Sequence, residues 1–297
     1  MLLKGTIIKG IGGFYYVDTN EGIIECRARG KFRKNEILPM VGDKVEIEVS
    51  ATSSGSVKKI EERANFLIRP AVSNIDKLMI VAAITNPAPD TSLIDKMLII
   101  AAKKGIKGSL CINKSDLDTS NEAEKLKDCY EKAGYRVFVT SAEKGIGLEE
   151  LRHELSGKIT AFAGLSGVGK SSILTLITGK ELETGDTSRI ERGKHTTRHV
   201  ELIKTDDGYV FDTPGFSQLE VEDIKASELW EYFPEMAECN GLCRFRGCSH
   251  VSEPDCAVKS ALEKGDIPQS RYESYVKMYE KLKLIKDWER GNTNGTR

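Results

Sequence analysis

The stretch Gly164-Leu-Ser-Gly-Val-Gly-Lys-Ser171 constrains the fold of this 297-residue chain more than any other. It fits G-x-x-x-x-G-K-[ST], a loop that wraps backbone N–H groups around phosphate oxygens. The chemistry needs a strand, a tight turn and a helix N-terminus in that order. Apolar Ile159, Ala161, Phe162 and Ala163 predict the strand, and Ser172 to Thr178 predict the helix. Glycines at 164, 167 and 169 leave the phosphates unobstructed by side chains. The helix dipole favours negative charge at its start. Lys170 would reach the β- and γ-phosphates, and the Ser171 hydroxyl would go to a magnesium ion. The bland alternative, a glycine-rich turn with a surface lysine, leaves the flanking strand and helix unexplained.

Strands and helices alternate upstream, which predicts an open α/β sheet. Lys77–Ile84 is a continuous apolar run of the kind a buried parallel strand needs. A helix is expected from Ser92 to about Lys103, a strand over Lys107–Ile112, a helix over about Asn121–Ala133 and a strand over Arg136–Thr140. The second of these strands runs into Asn113-Lys114-Ser115-Asp116, which matches N-K-x-D at the carboxyl end of a strand, where such sheets bind ligands. The Asp116 carboxylate can accept from both guanine N1–H and the exocyclic amine. Adenine would leave it facing a ring acceptor. Asn113 would steady the loop and approach N7, while the Lys114 stem covers the base face. Ser141-Ala142 follows the next strand, where the Ala142 N–H could meet guanine O6.

Gly147–Leu155 predicts a short amphipathic helix with Leu148, Leu151 and Leu155 inward and His153 at the surface. Residues 180–194 are polar and end in Gly193-Lys-His-Thr-Thr197. A threonine here can ligate magnesium and sense the γ-phosphate. Thr196 and Thr197 both qualify, with Thr197 preferred; a plain β-edge Thr-Thr is the alternative. After a strand at His199–Ile203, Tyr209-Val-Phe-Asp-Thr-Pro-Gly215 places Asp212 to hold the metal through water and the Gly215 N–H at the γ-phosphate.

In ordinary GTPases the phosphate loop comes first and N-K-x-D and Ser-Ala come last. Here the base-reading elements precede the phosphate elements, and circular permutation is the simplest account. The D-x-x-G segment then connects directly to the C-terminal region, so a γ-phosphate-dependent movement would act on whatever follows residue 225.

Upstream, residues 1–65 read as short strands, including Thr6–Gly10, Gly13–Asp18, Gly22–Ala28 and Asp43–Val49. Five strands in that span suit a small Greek-key barrel such as the OB-fold. Arg27, Arg29, Lys31, Arg33 and Lys34 surround Phe32 with no acid among them. On such a barrel the run can track an RNA backbone and stack a base; a solvated loop has the same composition. Downstream, four of the seven cysteines crowd into residues 239–256, which suggests a metal.

A barrel ahead, a permuted nucleotide domain and a cysteine-rich region behind resemble the circularly permuted GTPases of the ribosome small-subunit-dependent GTPase A family, RsgA, over nearly the whole chain. The resemblance implies an OB-fold barrel at 1–65, a permuted P-loop GTPase domain at 66–225 and a zinc-binding, mainly helical C-terminal domain at 226–297. It implies a GTPase acting late in small ribosomal subunit maturation and stimulated by that subunit. Asn113–Asp116 and the span Gly164–Ser172, with Leu165, Ser166, Val168 and Ser172 beside the residues above, become GTP contacts by likeness. It also implies one structural zinc. Cys243, Cys248, His250 and Cys256 offer a donor set suited to closed tetrahedral zinc. Cys239 is a competing ligand, so a four-cysteine site stays open. Cys26, Cys111 and Cys129 are expected to be buried small residues.

After Pro268 a helix is expected to about Arg290. Tyr272, Tyr275, Val276, Tyr279 and Leu282 lie on its apolar side. Lys277, Lys281, Lys283, Lys286 and Arg290 are mostly elsewhere, available to rRNA phosphates or simply solvated. Forty-four Lys+Arg against 45 Asp+Glu put the formal net charge at −1, so any basic footprint is local. With no apolar run near the ~20 residues of a membrane span and no signal-peptide pattern, the expectation is a cytoplasmic, membrane-free monomer.

Phe216 follows the D-x-x-G segment where many GTPases carry a water-orienting glutamine. Slow intrinsic hydrolysis of GTP to GDP is therefore expected, with Lys170, magnesium and loop amides stabilising charge. His195 is the candidate for positioning water; a loop imidazole without catalytic duty is the alternative. Two other classes remain: a nucleotide-switched RNA-binding factor in which hydrolysis only times release, and a P-loop ATPase or kinase with an accidental N-K-x-D.

Overall fold

The structure is a computed structural model that describes residues 1–28, 38–50, 54–68, 70–180, 200–212 and 221–286. The cations at 29–34 with Phe32, then His195, Thr196 and Thr197, then Gly215 and Phe216, and Arg290 lie outside the described residues.

Five strands open the chain: β1 (Leu2–Ile11), β2 (Phe14–Thr19), β3 (Gly22–Ala28), β4 (Lys44–Val49) and β5 (Gly55–Ile60). They close into a barrel in the order β1-β2-β3-β5-β4, with β1 paired to β4 and β3 running parallel to β5. That is the partly Greek-key closure of an OB barrel. Alternating residues fill it: Leu3, Ile7, Val17, Cys26, Val45, Ile47 and Val57 form one buried cluster. The β5 segment, Gly55-Ser-Val-Lys-Lys-Ile60, buries only Val57, so its sequence carries little strand signal.

A short hairpin, β6 (Phe66–Leu67) and β7 (Val72–Ser73), follows. Asp43 fastens it to the barrel. Its fully buried carboxylate accepts from Arg63 Nε at 2.7 Å, the Met40 N–H at 2.8 Å and Ser73 Oγ at 2.6 Å.

The second sheet contains β8 (Lys77–Ala83), β9 (Lys107–Asn113), β10 (Arg136–Val139), β11 (Ile159–Ala163), β12 (Ile203–Lys204) and β13 (Tyr209–Asp212). Their order is β10-β9-β8-β11-β13-β12. Every residue of β8 and of β11 is buried, as the continuous apolar runs predict for parallel strands. The helices are α1 (Thr91–Lys103), α2 (Glu122–Lys132), α3 (Leu148–Leu155), α4 (Lys170–Thr178), α5 (Pro234–Ala237), α6 (Ala257–Lys264) and α7 (Gln269–Lys283). Asp90 caps α1 by accepting from the Leu93 N–H, and Gly265, in a left-handed conformation, stops α6. No helix among the described residues is long and apolar enough to cross a membrane.

Two compact units divide the chain: Met1–Leu78, Leu148–Phe162 and Lys170–Pro214 form one, and Met79–Gly147, Ala163–Gly169 and Gly215–Arg297 the other. Within the first, the barrel meets the β12–β13 hairpin. The Leu202 N–H donates to the Ile8 carbonyl at 2.8 Å, and buried Asp18 accepts from Tyr209 Oη at 2.7 Å and Lys204 Nζ at 2.8 Å. Burial acts to raise the Asp18 pKa, but the bonds from Lys204 and Tyr209 prevail and hold it below the usual carboxylate value.

Within the second unit, Arg271 on α7 is fully buried. It bonds Asp95 of α1 and Glu235 of α5, and its guanidinium lies 4.6 Å from the Phe233 ring centroid. The buried side of α7 thus carries a cation besides Tyr275 and Leu282. The helix also ends at Lys283 rather than near Arg290. Its last carbonyls are taken by Leu284 and Ile285 in tightened i→i+3 bonds, just after buried Leu282, its last core contact. Cys129 departs from expectation too: it is half-buried, with its thiol 3.3 Å from Ser270 Oγ.

Candidate functional site

Strand β9 ends in buried Asn113, and the chain then turns sharply. Lys114 takes a left-handed φ of 63°, and Ser115–Leu117 form one 3₁₀ turn. Asn113 is the hub of three segments. Its Oδ1 accepts from Thr140 Oγ1 at 3.2 Å and from the Ala142 N–H at 3.1 Å, which joins β9 to the turn after β10. Its Nδ2 donates to the Val168 carbonyl at 2.9 Å, which joins both to the glycine-rich loop. Ser141 Oγ donates to Asp116 Oδ1 and accepts from the Lys144 N–H. The Asp116 carboxylate is thereby oriented while remaining at the surface. The Lys114 ammonium reaches the Asn86 carbonyl.

The glycine-rich loop is pinned from both ends, and the pinning explains two of its glycines. A Cβ at Gly169, whose φ is +95°, would sit 2.2 Å from Asn113 Nδ2. One at Gly164, whose φ is +144°, would sit 2.1 Å from the Val81 carbonyl oxygen. Only glycine meets both the conformation and the close approach. Between them Val168 is buried and Ser166 and Gly167 are exposed.

Lys170, Ser171 and Ser172 then form the first turn of α4, where backbone N–H groups have no intrahelical partner. Asp212 ends β13 directly beside Phe162 of β11 in parallel register. Burial pulls the Lys170 pKa below its usual value, and the charge of Asp212 partly opposes that shift. Of the residues expected to handle phosphate and metal, Lys170, Ser171 and Asp212 are thus at strand and helix ends; Thr197 and Gly215 lie outside the described residues.

Cys243, Cys248, His250 and Cys256 converge in the C-terminal region, with their donor atoms all within 4.8 Å of one another. Cys256 Sγ lies 3.5 Å and Cys243 Sγ 3.6 Å from His250 Nδ1, and the two sulfurs are 4.0 Å apart. Sulfurs at ~2.3 Å from a tetrahedral zinc would be about 3.8 Å from each other, so the cluster could bind zinc. His250 adopts a left-handed φ of 62°, and Tyr272 Oη holds its carbonyl at 2.9 Å. Tyr275 Oη bonds the adjacent Ser249 carbonyl at 2.7 Å. Cys239 is outside the cluster; its sulfur faces the Glu235 carbonyl at 4.0 Å.

Sequence reasoning missed two residues that shape these sites. Arg271 gives no periodic signal, because an arginine next to a tyrosine stripe usually lies at its solvated edge. Glu253 accepts from both the N–H and Oγ of Ser249 and so braces the loop between two candidate ligands. An acid inside a cysteine-rich segment is the only hint the sequence offers.

Family models match most of the chain: the RsgA N-terminal domain over residues 4–57 and the RsgA GTPase over residues 60–222. A small ribosomal subunit biogenesis GTPase RsgA from Clostridium perfringens is 47% identical over 282 residues, covering 94% of this chain and 98% of its own length. One from Caldanaerobacter subterraneus subsp. tengcongensis is 48% identical over 284 residues, covering 95% and 96%. Among solved structures, YjeQ from Thermotoga maritima superposes with a TM-score of 0.83 at 39% identity over 96% of this chain and 100% of that one. YloQ, a circularly permuted GTPase, gives 0.82 at 39% identity over 95% and 96%. With N-K-x-D ahead of a phosphate loop that it hydrogen-bonds, a five-stranded barrel before and a Cys/His cluster behind, the chain belongs to the RsgA family of circularly permuted GTPases.

Proposed function

We propose that this protein binds GTP, hydrolyses it to GDP and phosphate, and acts in late maturation of the small ribosomal subunit. The Asn113 Nδ2 to Val168 carbonyl bond carries the reading, because it ties a guanine-reading sequence to a phosphate-binding one within a single constellation. The family membership and the names of the relatives support the same activity and the same subunit as partner.

Asp116, oriented by Ser141, selects guanine through its N1–H and exocyclic amine. Asn113 holds the Ser141-Ala142 turn at the distance the base requires. The N–H groups of Gly164–Ser172 surround the phosphates, and Lys170 neutralises charge as it develops on them. Its partial burial favours that role, since an ammonium already short of water gains more from an anionic partner. Ser171 and Asp212 are suited to hold magnesium; when bound, the ion spreads charge between the β- and γ-phosphates. Thr197 and the Gly215 N–H complete the set as sensors of the γ-phosphate, and His195 positions water. With Phe216 after D-x-x-G, intrinsic turnover is slow and the subunit accelerates it.

One zinc ion sits among Cys243, Cys248, His250 and Cys256 and lets a small segment stay folded. The division into 1–65, 66–225 and 226–297 is favoured by the limits of the two family models. The Arg27–Lys34 run and the basic side of α7 contact rRNA, and the protein works as a cytoplasmic monomer. The position of Phe216 also favours a second reading, in which hydrolysis only times release from RNA. GTPase activity measured with and without purified small subunits tests the first reading; unstimulated turnover overturns it. Release of the protein from subunits on hydrolysis, with retention under a non-hydrolysable analogue, marks the second.

A further inference from the structure

The first strand of the barrel breaks its own ladder to reach the β12–β13 hairpin. β1 pairs with β2 at Ile7 and again at Lys9, with a register shift between them that leaves Ile8 as a bulge. Ile7 belongs to the barrel core, and Ile8, also buried, does not. The Ile8 carbonyl accepts from the Leu202 N–H at 2.8 Å. Lys9 forms an antiparallel bridge with Glu201, and their side chains pair at 2.5 Å. Beyond these residues, Lys204 of β12 and Tyr209 of β13 lie opposite each other. A single oxygen, Oδ2 of buried Asp18 at the end of β2, accepts from both, from Lys204 Nζ at 2.8 Å and from Tyr209 Oη at 2.7 Å. Asp18 thus clips the two hairpin strands to one another and to the barrel.

Strand β13 has only four residues, with Tyr209 at its start and Asp212 at its end. Among the described residues, β12 pairs only with Tyr209 and Val210, whereas Phe211 and Asp212 pair with Ala161 and Phe162 of β11. Asp212 is therefore held by the sheet from one side. The Tyr209 N–H also donates to the Lys158 carbonyl at 2.8 Å, which sets where β13 lies along β11. A parallel ladder on one side fixes that register but leaves the strand able to tilt about its neighbour. The Asp18 clip supplies the missing restraint from the other side. Tyr209 and Asp212 are three residues apart, about 10 Å at ~3.3 Å per residue, and the odd spacing puts them on opposite faces. The hydroxyl of Tyr209 thus acts on Asp212 through the strand and not by touching its ligand.

We infer that Tyr209, clipped by Asp18 of the barrel, is a positioning residue for Asp212, so that the barrel helps to set the magnesium end of the nucleotide site. The inference rests on the reading of Asp212 as a carboxylate that holds magnesium. Magnesium demands near-ideal octahedral geometry, and small displacements of a positioned group have large effects. A strand freed to tilt therefore weakens the metal before it weakens the nucleotide, whose base and phosphate contacts come from Asn113–Asp116 and the glycine-rich loop.

Full-length protein is loaded with GDP while magnesium is withheld, and magnesium is then titrated in by calorimetry. Tyr209→Phe should weaken magnesium binding about threefold to tenfold, the loss expected for one hydrogen bond. Its GDP affinity without magnesium should match wild type, which shows that the nucleotide site is folded. Asp18→Asn keeps an acceptor for Tyr209 and should bind magnesium as wild type does, whereas Asp18→Leu should follow Tyr209→Phe. A purely structural role would instead rank the variants by thermal stability. Lys204→Met, at a side chain 58% exposed, tests the clip without disturbing a core and should give a smaller loss in the same direction. Asp212→Asn should give the largest loss. Wild-type magnesium affinity in Tyr209→Phe, Asp18→Leu and Lys204→Met beside a loss in Asp212→Asn overturns the positioning role, as does a loss in Asp18→Asn equal to that in Asp18→Leu. Unchanged affinity in Asp212→Asn overturns the metal reading of Asp212 and this inference with it.

Discussion

The N-K-x-D loop and the Cys/His loop both gather polar side chains, yet they are held together differently. Asn113 spends its amide on the protein itself, with Val168, Thr140 and Ala142 as partners, so that loop is organised by internal hydrogen bonds alone. The Cys/His loop points four donors at one another, and in thiolate form they repel unless a cation lies among them. Its buried side chains are largely members of that cluster: Cys248, His250 and Cys256. One constellation is held by the protein's own hydrogen bonds; the other, on the proposed reading, would need a bound cation to keep its donors together.

Five experiments would break or sharpen that contrast. The largest effect is expected from a chelator or Cys248→Ser. Structural zinc contributes on the order of 10–16 kcal/mol in small domains, so amide protection over 239–256 should collapse while the barrel keeps its own. Equal loss in both regions, or none, would erase the distinction. Next comes Arg271→Ala. Leaving Asp95 and Glu235 buried without their cation should cost about 3–5 kcal/mol in thermal unfolding. Because α7 also carries Tyr272 and Tyr275, metal retention should fall as well, with guanine selectivity intact.

Asp116→Asn should lower GTP affinity about a hundredfold and raise that for xanthosine triphosphate, since one acceptor becomes a donor. Retained guanine preference would remove the base-reading role. Asn113→Ala unties three segments at once. Unsatisfied groups cost about 1–3 kcal/mol, and GDP affinity should fall tenfold or more; an unchanged value would mean that the loop keeps its shape without the bracket. The smallest effect belongs to a region with neither ligand. The folded pKa of Asp18 lies below its ordinary 3.8, so its contribution to stability is present above that value and lost as pH falls through the folded one. Asp18→Asn should therefore be less stable than wild type near neutrality, with the gap narrowing in acid unfolding.

Much of this was legible before any coordinates. The alternation that predicts the parallel sheet works because β8 and β11 are buried on both faces and must be apolar throughout. The barrel strands were readable where one face is wet, and β5 was not, because Val57 is its single fully buried residue. The end of α7 was misplaced because lysine-rich sequence continues to look helical after the last core contact, Leu282. Cys129 and Arg271 show the converse limit: composition assigns a cysteine to the interior and an arginine to solvent, and here neighbours from distant segments reverse the tendency.

The sequence by itself determined which chemistry the chain can do, because glycine, lysine, serine, asparagine and aspartate at fixed spacings are what phosphate and guanine require locally. It also revealed the permuted order, which is a property of the string. Only the tertiary structure decided that Asn113 hydrogen-bonds Val168, that Cys239 is left out of the metal cluster, and that one oxygen of Asp18 joins Lys204 and Tyr209. Those are encounters between residues far apart in the chain. Local propensity carries no information about them; the packing of helices and strands that share a core does.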